Sequence, residues 1–132
     1  MRWLAIDPGS KRVGLAICDP DERIAVPLEV IPASVAFPAV RSIAKREEVG
    51  GIVVGLPLLM DGSEGSAVVR ARRLGERIRD RLGLPVEYED ERLTTFEAER
   101  EGGGEPRDDI AAALILQAFI DRRRESEPDA QL

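Results

Sequence analysis

The sequence predicts an α/β domain: a five-stranded mixed sheet of element order βββαβαβα, with helices on both faces. Three observations predict it. The first thirty residues hold three short apolar runs separated by the turns Asp7-Pro8-Gly9-Ser10 and Asp19-Pro20-Asp21-Glu22, the pattern of a meander. Gly51 to Gly55 is a continuous β-branched run, as in a strand buried under helices on both sides. Segments of helical period alternate with the later strands, as crossover units require.

Taken in order, Trp3 to Asp7 reads as the first strand, Arg12 to Cys18 as the second and Ile24 to Ile31 as the third. Phe37-Pro38 opens a short helix, with Pro38 suited to the first helical position and Val40, Ile43 and Ala44 forming its apolar stripe toward Gly50-Gly51. After the strand at Gly51 to Gly55, a loop from Pro57 to Gly65 leads to a helix that Ser63 or Ser66 is placed to cap. In that helix Ala71, Leu74, Ile78 and Leu82 share one face, and Gly83 stops it. Pro85 to Tyr88 is a fifth strand. Thr94 with Glu97 fits a capping box for a short helix to about Arg100, and EGGGEP is a flexible connector. The last helix, Asp108 to Arg123, is apolar nearly all round and should pack on the sheet.

With 132 residues, 43% hydrophobic and 33% charged, the chain suits one globular domain, 1–124, followed by a tail, 125–132, expected to be disordered. It contains no histidine and one cysteine, Cys18, which excludes Ser-His-Asp triads, Cys-His dyads, HExxH zinc sites and CxxC redox pairs. Any acid–base or metal chemistry must therefore run on carboxylates. A lone Cys in an apolar run suits a core position in a reducing, cytoplasmic compartment. The opening MRWLAID offers no signal peptide, and neither Gly50 to Met60 nor Ile110 to Ile120 is long enough to span a bilayer, so no membrane association is expected.

The net charge of −6 conceals a polarity. Ser66 to Leu82 carries six arginines against two acids, whereas Glu87 to Asp109 carries ten acids against three arginines. Arg70, Arg72, Arg73, Arg77, Arg79 and Arg81 are either a solvated helix face or an anion-binding stripe. The acidic region is readily explained if cations fill it.

Three acids stand where a sheet of this order can gather them. Asp7 ends the first strand, Glu91 follows the fifth, and Asp108 or Asp109 starts the final helix. Clustered carboxylates repel one another unless cations pair them, and oxygen-only ligands suit Mg²⁺ or Mn²⁺. Two such ions about 4 Å apart can activate a water and neutralise the leaving oxygen of a phosphodiester displacement without histidine. Unconnected surface acids would leave the same spacing. Lys11 and Arg12, on the turn after Asp7, are either ordinary turn charges or placed to hold a phosphate beside the metals.

DPGSKRVGLA near the start, GLPLLMDGSEG in the middle, DERLTTFEAE after the fifth strand and DDIAAALILQAFID near the end together resemble the YqgF/RuvX family of Holliday-junction resolvase-like proteins and pre-16S ribosomal RNA nucleases. The four motifs occur in the family's order and, with their intervening strands, cover Trp3 to Asp121. The resemblance implies an RNase H-like fold and a RuvC-like nuclease site with one carboxylate from the first strand, one from DER and one from the last helix. Carried over, these are Asp7, Glu91 and Asp108, with Asp109 as neighbour, serving as catalytic residues and as ligands of two Mg²⁺ or Mn²⁺ ions. Lys11, Arg12 and Arg92 are expected to meet substrate, Arg92 by bracing a carboxylate or a phosphate. The family often carries a longer basic loop before the final aspartate, where this chain has only EGGGEPR; Arg70, Arg72 and Arg73, or a symmetry mate, are candidates to supply the missing charge.

The implied role is maturation of the small-subunit ribosomal RNA, with single-stranded or branched DNA as further substrates. A homodimer suits junction resolution and a monomer suits RNA processing. Two other readings stand beside this one: a non-catalytic nucleic-acid-binding module of the same fold, and an actin-like ATP-binding domain using DPGSKRVG as its phosphate turn. The second is opposed by length, since such ATPases close nucleotide between two domains.

Overall fold

A computed structural model describes residues 1–93 and 108–126. Strands β1 (Trp3–Pro8), β2 (Arg12–Cys18) and β3 (Ala25–Pro32) form the antiparallel meander, in which Asp7 pairs with Gly14 and Ile6 with Leu15. β4 (Gly51–Leu56) adds to β1 in parallel and β5 (Val86–Asp90) adds to β4 in parallel, so the strand order is β3-β2-β1-β4-β5. Helix α1 (Ala36–Arg46) connects β3 to β4, α2 (Ser66–Leu82) connects β4 to β5, and α3 (Asp108–Glu125) closes the fold. This is the βββαβαβα mixed sheet the sequence predicts.

The period of two along each strand sorts its residues between two cores. Leu4, Ile6, Val13, Leu15, Ile17, Ile52 and Val54 face α1 and α2, where they meet Val40, Ile43, Val68, Ala71 and Ile78. Trp3, Ala5, Ala16, Cys18 and Val53 face the other way and meet Ala112, Ile115, Leu116, Phe119 and Ile120 of α3. Each fully buried Ile or Leu contributes about 2 kcal/mol of apolar transfer free energy. The α3 face of the sheet is paved with small residues, Ala5, Gly14, Ala16 and Gly55, so a helix that is apolar nearly all round can lie close against it. Trp3 packs edge-on against Phe119, 4.8 Å between ring centroids, and its indole N–H donates to Glu22. Cys18 is a core residue whose thiol is pushed up chiefly by burial, away from reactivity.

Local details depart from the sequence-based expectation. α2 starts after Gly65 and no serine side chain caps it; the Ser63 hydroxyl donates to Asp61 at 2.6 Å, closing the preceding loop instead. α1 begins at Ala36, so Pro38 is its third residue, still in the first turn where an N–H has no helical acceptor. β5 runs two residues past Tyr88, because Gly55 and Leu56 of β4 remain available to pair with Glu89 and Asp90. The Thr94–Glu97 capping box, the EGGGEP connector and positions 127–132 of the expected tail lie outside the described residues. Among the described residues, no helix is long and apolar enough to cross a membrane.

Candidate active site

The parallel strands β1, β4 and β5 point their C-terminal ends to one edge of the sheet, the usual place for ligands in sheets of this type. Asp7 is the penultimate residue of β1, and Glu91 immediately follows β5. Asp7, like Trp3 and Ala5, points to the α3 face by alternation. Glu91 is buried, with 7% of its surface exposed, and it fits because β4 carries Gly55 beside it. A Cβ on Gly55 would sit 3.0 Å from Glu91 Cγ and 2.9 Å from Ile115 Cδ1, tighter than ordinary van der Waals contact. Gly14 does the same for the third acid. It pairs with Asp7, and a Cβ there would fall on the backbone carbonyl of Asp108, so the first turn of α3 rests directly on β2.

Asp7 has Glu91 and Asp108 as neighbours. Burial pushes the Asp7 carboxyl up, the Glu91 side chain offsets part of that rise, and the negative charge of Asp108 adds to it. Asp108 is half-buried and faces Arg12, whose Nε lies 3.5 Å from Oδ2. Asp109 is buried, and its Oδ1 accepts the N–H of Ile110 at 3.0 Å. Three acids distant in sequence thus come to one edge, with Glu91 and Asp108 both near enough to act on the Asp7 carboxyl.

The basic residues divide. Lys11 and Arg12 are exposed on the β1–β2 turn and, with Gly9, Ser10 and Asp108, line a depression beside the acids. Arg92 folds back onto Asp90 through both Nε and Nη2, 2.7 Å at the closest, and donates Nη1 to the carbonyl of Met60 at 3.3 Å. Of the two roles expected for it, it takes the bracing of a carboxylate, and its guanidinium holds the Asp90 carboxyl below the usual range. Arg70 and Arg73 are exposed on α2, in the layer across the sheet from α3, and make no ion pair among the described residues. In the same helix Arg72 pairs with Glu64 at 2.7 Å and Arg77 stacks over Phe37.

One ion pair near the site has no counterpart in the sequence reading. Glu89, in β5 two residues before Glu91, is fully buried and is gripped by both terminal nitrogens of Arg122 in α3, one at 2.6 Å. The clue available in sequence was a second glutamate, Glu89, two residues before Glu91 at the end of a predicted strand.

The donor set is all oxygen, carries up to three negative charges and includes a carboxylate disfavoured by its surroundings, which is the chemistry a hard divalent cation complements. Among the described residues, no three acidic or thiol side chains already stand in a ligating arrangement. Asp108 is instead drawn toward Arg12. The residues fit Mg²⁺ or Mn²⁺ in kind, and Asp108 would have to turn from Arg12 to join Asp7 and Glu91.

The fold and the acidic edge define an RNase H-like α/β domain with carboxylates gathered at the ends of its parallel strands. The chain belongs to the RuvX family, described as Holliday junction resolvase, whose model matches residues 1–122. A relative from Anaeromyxobacter sp. (strain Fw109-5) is 46% identical over 135 residues, covering 93% of this chain and 98% of the relative. Another from Lactobacillus gasseri is 41% identical over 143 residues, covering 96% and 100%. Both carry the description "Putative pre-16S rRNA nuclease". Among solved structures, Thermus thermophilus RuvC superposes with a TM-score of 0.59 at 19% identity, covering 95% of this chain and 97% of that one, a likeness of fold.

Proposed function

We propose that this chain is a divalent-metal-dependent nuclease that hydrolyses phosphodiester bonds in nucleic acid and processes precursor 16S ribosomal RNA in the cytoplasm. The observation that carries the reading is the convergence of Asp7, Glu91 and Asp108 on one sheet edge, made possible by the close approaches at Gly55 and Gly14. Family membership and the descriptions of the two relatives support the reaction class and the RNA substrate.

Asp7, Glu91 and Asp108 would hold Mg²⁺ or Mn²⁺, two ions in the full site. When bound, such ions activate water and neutralise the oxygen that leaves. The chain's own residues do the rest. Glu91, buried against Gly55, keeps its carboxylate at a set position, so little reorganisation is needed when substrate arrives. Asp108, anchored by backbone contact at Gly14, supplies the third carboxylate, with Asp109 as its neighbour. Lys11 and Arg12 meet the phosphate, and Arg12 exchanges Asp108 for it. Arg70 and Arg73, across the sheet, contact the substrate backbone away from the scissile bond.

The test is cleavage of labelled single-stranded RNA, single-stranded DNA and a four-way junction, with Mg²⁺ or Mn²⁺, by the wild type and by Glu91→Gln. Metal-dependent cutting of RNA that disappears in the variant is the expected result. Faster cutting of the junction, by a dimer, would replace RNA processing with junction resolution. Salt-sensitive binding with no cutting by the wild type would leave a non-catalytic binding module.

A further inference from the structure

We infer that the outer face of α1 and α2 is a second nucleic-acid surface, on which Arg41, Lys45, Arg70, Arg73, Arg77 and Arg81 hold the phosphate backbone of a double-helical segment of the RNA. The inference rests on the nuclease reading above and deepens it, by giving the shape of RNA that the arginines of α2 meet and by adding α1 to the surface.

Charge is segregated in this chain far beyond its net value of −6. Helices α1 and α2 together carry nine basic residues and two acidic ones, which leaves ten basic and twenty-three acidic for everything else. Spacing then gathers the cations on one side. Arg70, Arg73, Arg77 and Arg81 recur every three or four residues and form one stripe along α2, about 16 Å from end to end. Phe37, Arg41 and Lys45 are four apart and form a second stripe along α1. The two stripes adjoin, because the Arg77 guanidinium lies 4.1 Å from the centroid of the Phe37 ring.

These cations do not serve to neutralise neighbours. Arg41, Lys45, Arg70, Arg73 and Arg81 are exposed and make no ion pair among the described residues, and Arg77 gives its charge to an aromatic face. The acids nearest in sequence are engaged elsewhere. Asp80 pairs with Arg79 at 3.3 Å, Glu64 with Arg72 at 2.7 Å and Glu47 with Arg46 at 3.2 Å, while Glu76 acts on Tyr88 and Arg72 on the β5 side of α2. Glu48, two residues past α1, is the acid that remains at that end. Six cations held together with so little counter-charge repel one another, a cost that an anionic partner removes.

The chemistry of the face selects that partner. Five of the six are arginines, whose planar fork matches a phosphate. A surface for single strands interleaves cations with exposed aromatic rings on which bases stack. The aromatic ring in this array, Phe37, is half-buried and covered by Arg77. Cations without a free stacking platform read the backbone and not the bases, which suits a duplex whose bases are turned inward. The position suits the same RNA. Both helices run back from the sheet edge where the acids gather, and Arg70 is the end of its stripe nearest that edge. A strand that reaches Asp7 and Glu91 from a stem would leave that stem lying along α2.

The experiment compares an RNA hairpin bearing a single-stranded extension with the extension alone, each fluorescently labelled, by anisotropy across a salt series. All chains carry Glu91→Gln so that the RNA stays whole. Arg41→Gln with Arg81→Gln is expected to weaken hairpin binding about tenfold or more at about 0.1 M salt and to reduce the slope of log affinity against log salt by about two. Binding of the extension alone should not change, and since both residues are exposed the melting temperature should not either. Arg23→Gln with Arg124→Gln removes the same charge from exposed positions off this face and should leave the hairpin slope as it is. Equal losses from the two pairs would reduce the effect to net charge and overturn the surface. So would a hairpin slope unchanged by the first pair, or an equal loss for the extension alone. Uptake of poly-glutamate in place of the hairpin would also overturn it, and hand the face to an acidic protein. Hairpin binding through this face by a chain whose wild type cuts no RNA with either metal would end the nuclease reading and keep the surface.

Discussion

Gly14 and Asp108 touch through their backbones: the position where a Gly14 side chain would begin is taken by the Asp108 carbonyl. Because Gly14 is also the cross-strand partner of Asp7, one missing Cβ sets both the seating of α3 and the distance between two acids. Gly14→Ala is expected to destabilise the fold by about 1–3 kcal/mol, the range for overpacking, and to lose cleavage beyond what the instability explains. Thermal melts and cleavage rates at a temperature where both proteins are folded separate the two effects.

Asp7 should oppose folding at neutral pH when no divalent ion is bound. Its pKa is raised above the ordinary 3.8 by burial and by Asp108, so its contribution to stability is present while it is protonated and is lost as pH rises through the raised value. Asp7→Asn resembles the protonated form. The variant is expected to be inactive yet more stable than the wild type at pH 7 in EDTA, by on the order of 1 kcal/mol or a few degrees in Tm, with the advantage gone below about pH 4. Melting curves across pH check it, and a variant less stable than wild type at pH 7 would contradict the assigned electrostatics.

Metal binding should reverse that order. Mg²⁺ or Mn²⁺ at about one hundred times its Kd is expected to stabilise the wild type by about 2.7 kcal/mol and to leave Asp7→Asn and Glu91→Gln nearly unmoved. Equal stabilisation of all three chains would place the ion elsewhere.

Arg122 and Glu89 couple α3 to the edge strand. Glu89 is sealed from solvent while Arg122 remains half exposed, so Arg122→Ala strands a carboxylate in the core and is expected to cost about 3 kcal/mol. Glu89→Leu combined with Arg122→Ala should recover much of that loss, since no buried charge is left behind. Denaturant melts of the single and double variants measure it.

Lys11 and Arg12 are assigned to phosphate. Lys11→Ala is expected to weaken RNA binding about equally for all sequences and to reduce the slope of log affinity against log salt by about one. An unchanged slope would return Lys11 to the status of an ordinary turn charge.

The fold was largely legible because its signals are short-range. Alternation in Trp3 to Asp7 and Arg12 to Cys18, the unbroken run Ile52-Val53-Val54 and the helical stripes of α1 and α2 each declare an element and the side it buries, and the absence of histidine confines the chemistry to carboxylates. The motif resemblance named Asp7, Glu91 and Asp108 as the acids to examine. Where local signals compete, the sequence was less informative: Ser63 had the composition of a helix cap, but Asp61 two residues away claimed its hydroxyl, and Gly65 took the N-terminal position of α2.

Which acids meet is a matter of strand order and close approach, and neither is written locally. Asp7 reaches Glu91 because β4 lies between β1 and β5 and carries Gly55 where any side chain would occupy the space of the Glu91 carboxylate. Asp108 reaches Asp7 because Gly14 lets α3 down onto β2. Arg92 had two possible partners in sequence and received Asp90 and the Met60 carbonyl from the packing of the loop after β4. The sequence by itself determined the elements, their buried faces and the acids on offer, since each depends on neighbours a few residues away. Only the tertiary structure decided which carboxylates come to one edge and which arginines are taken up in ion pairs, because those contacts join residues that the chain brings together only when the sheet is complete.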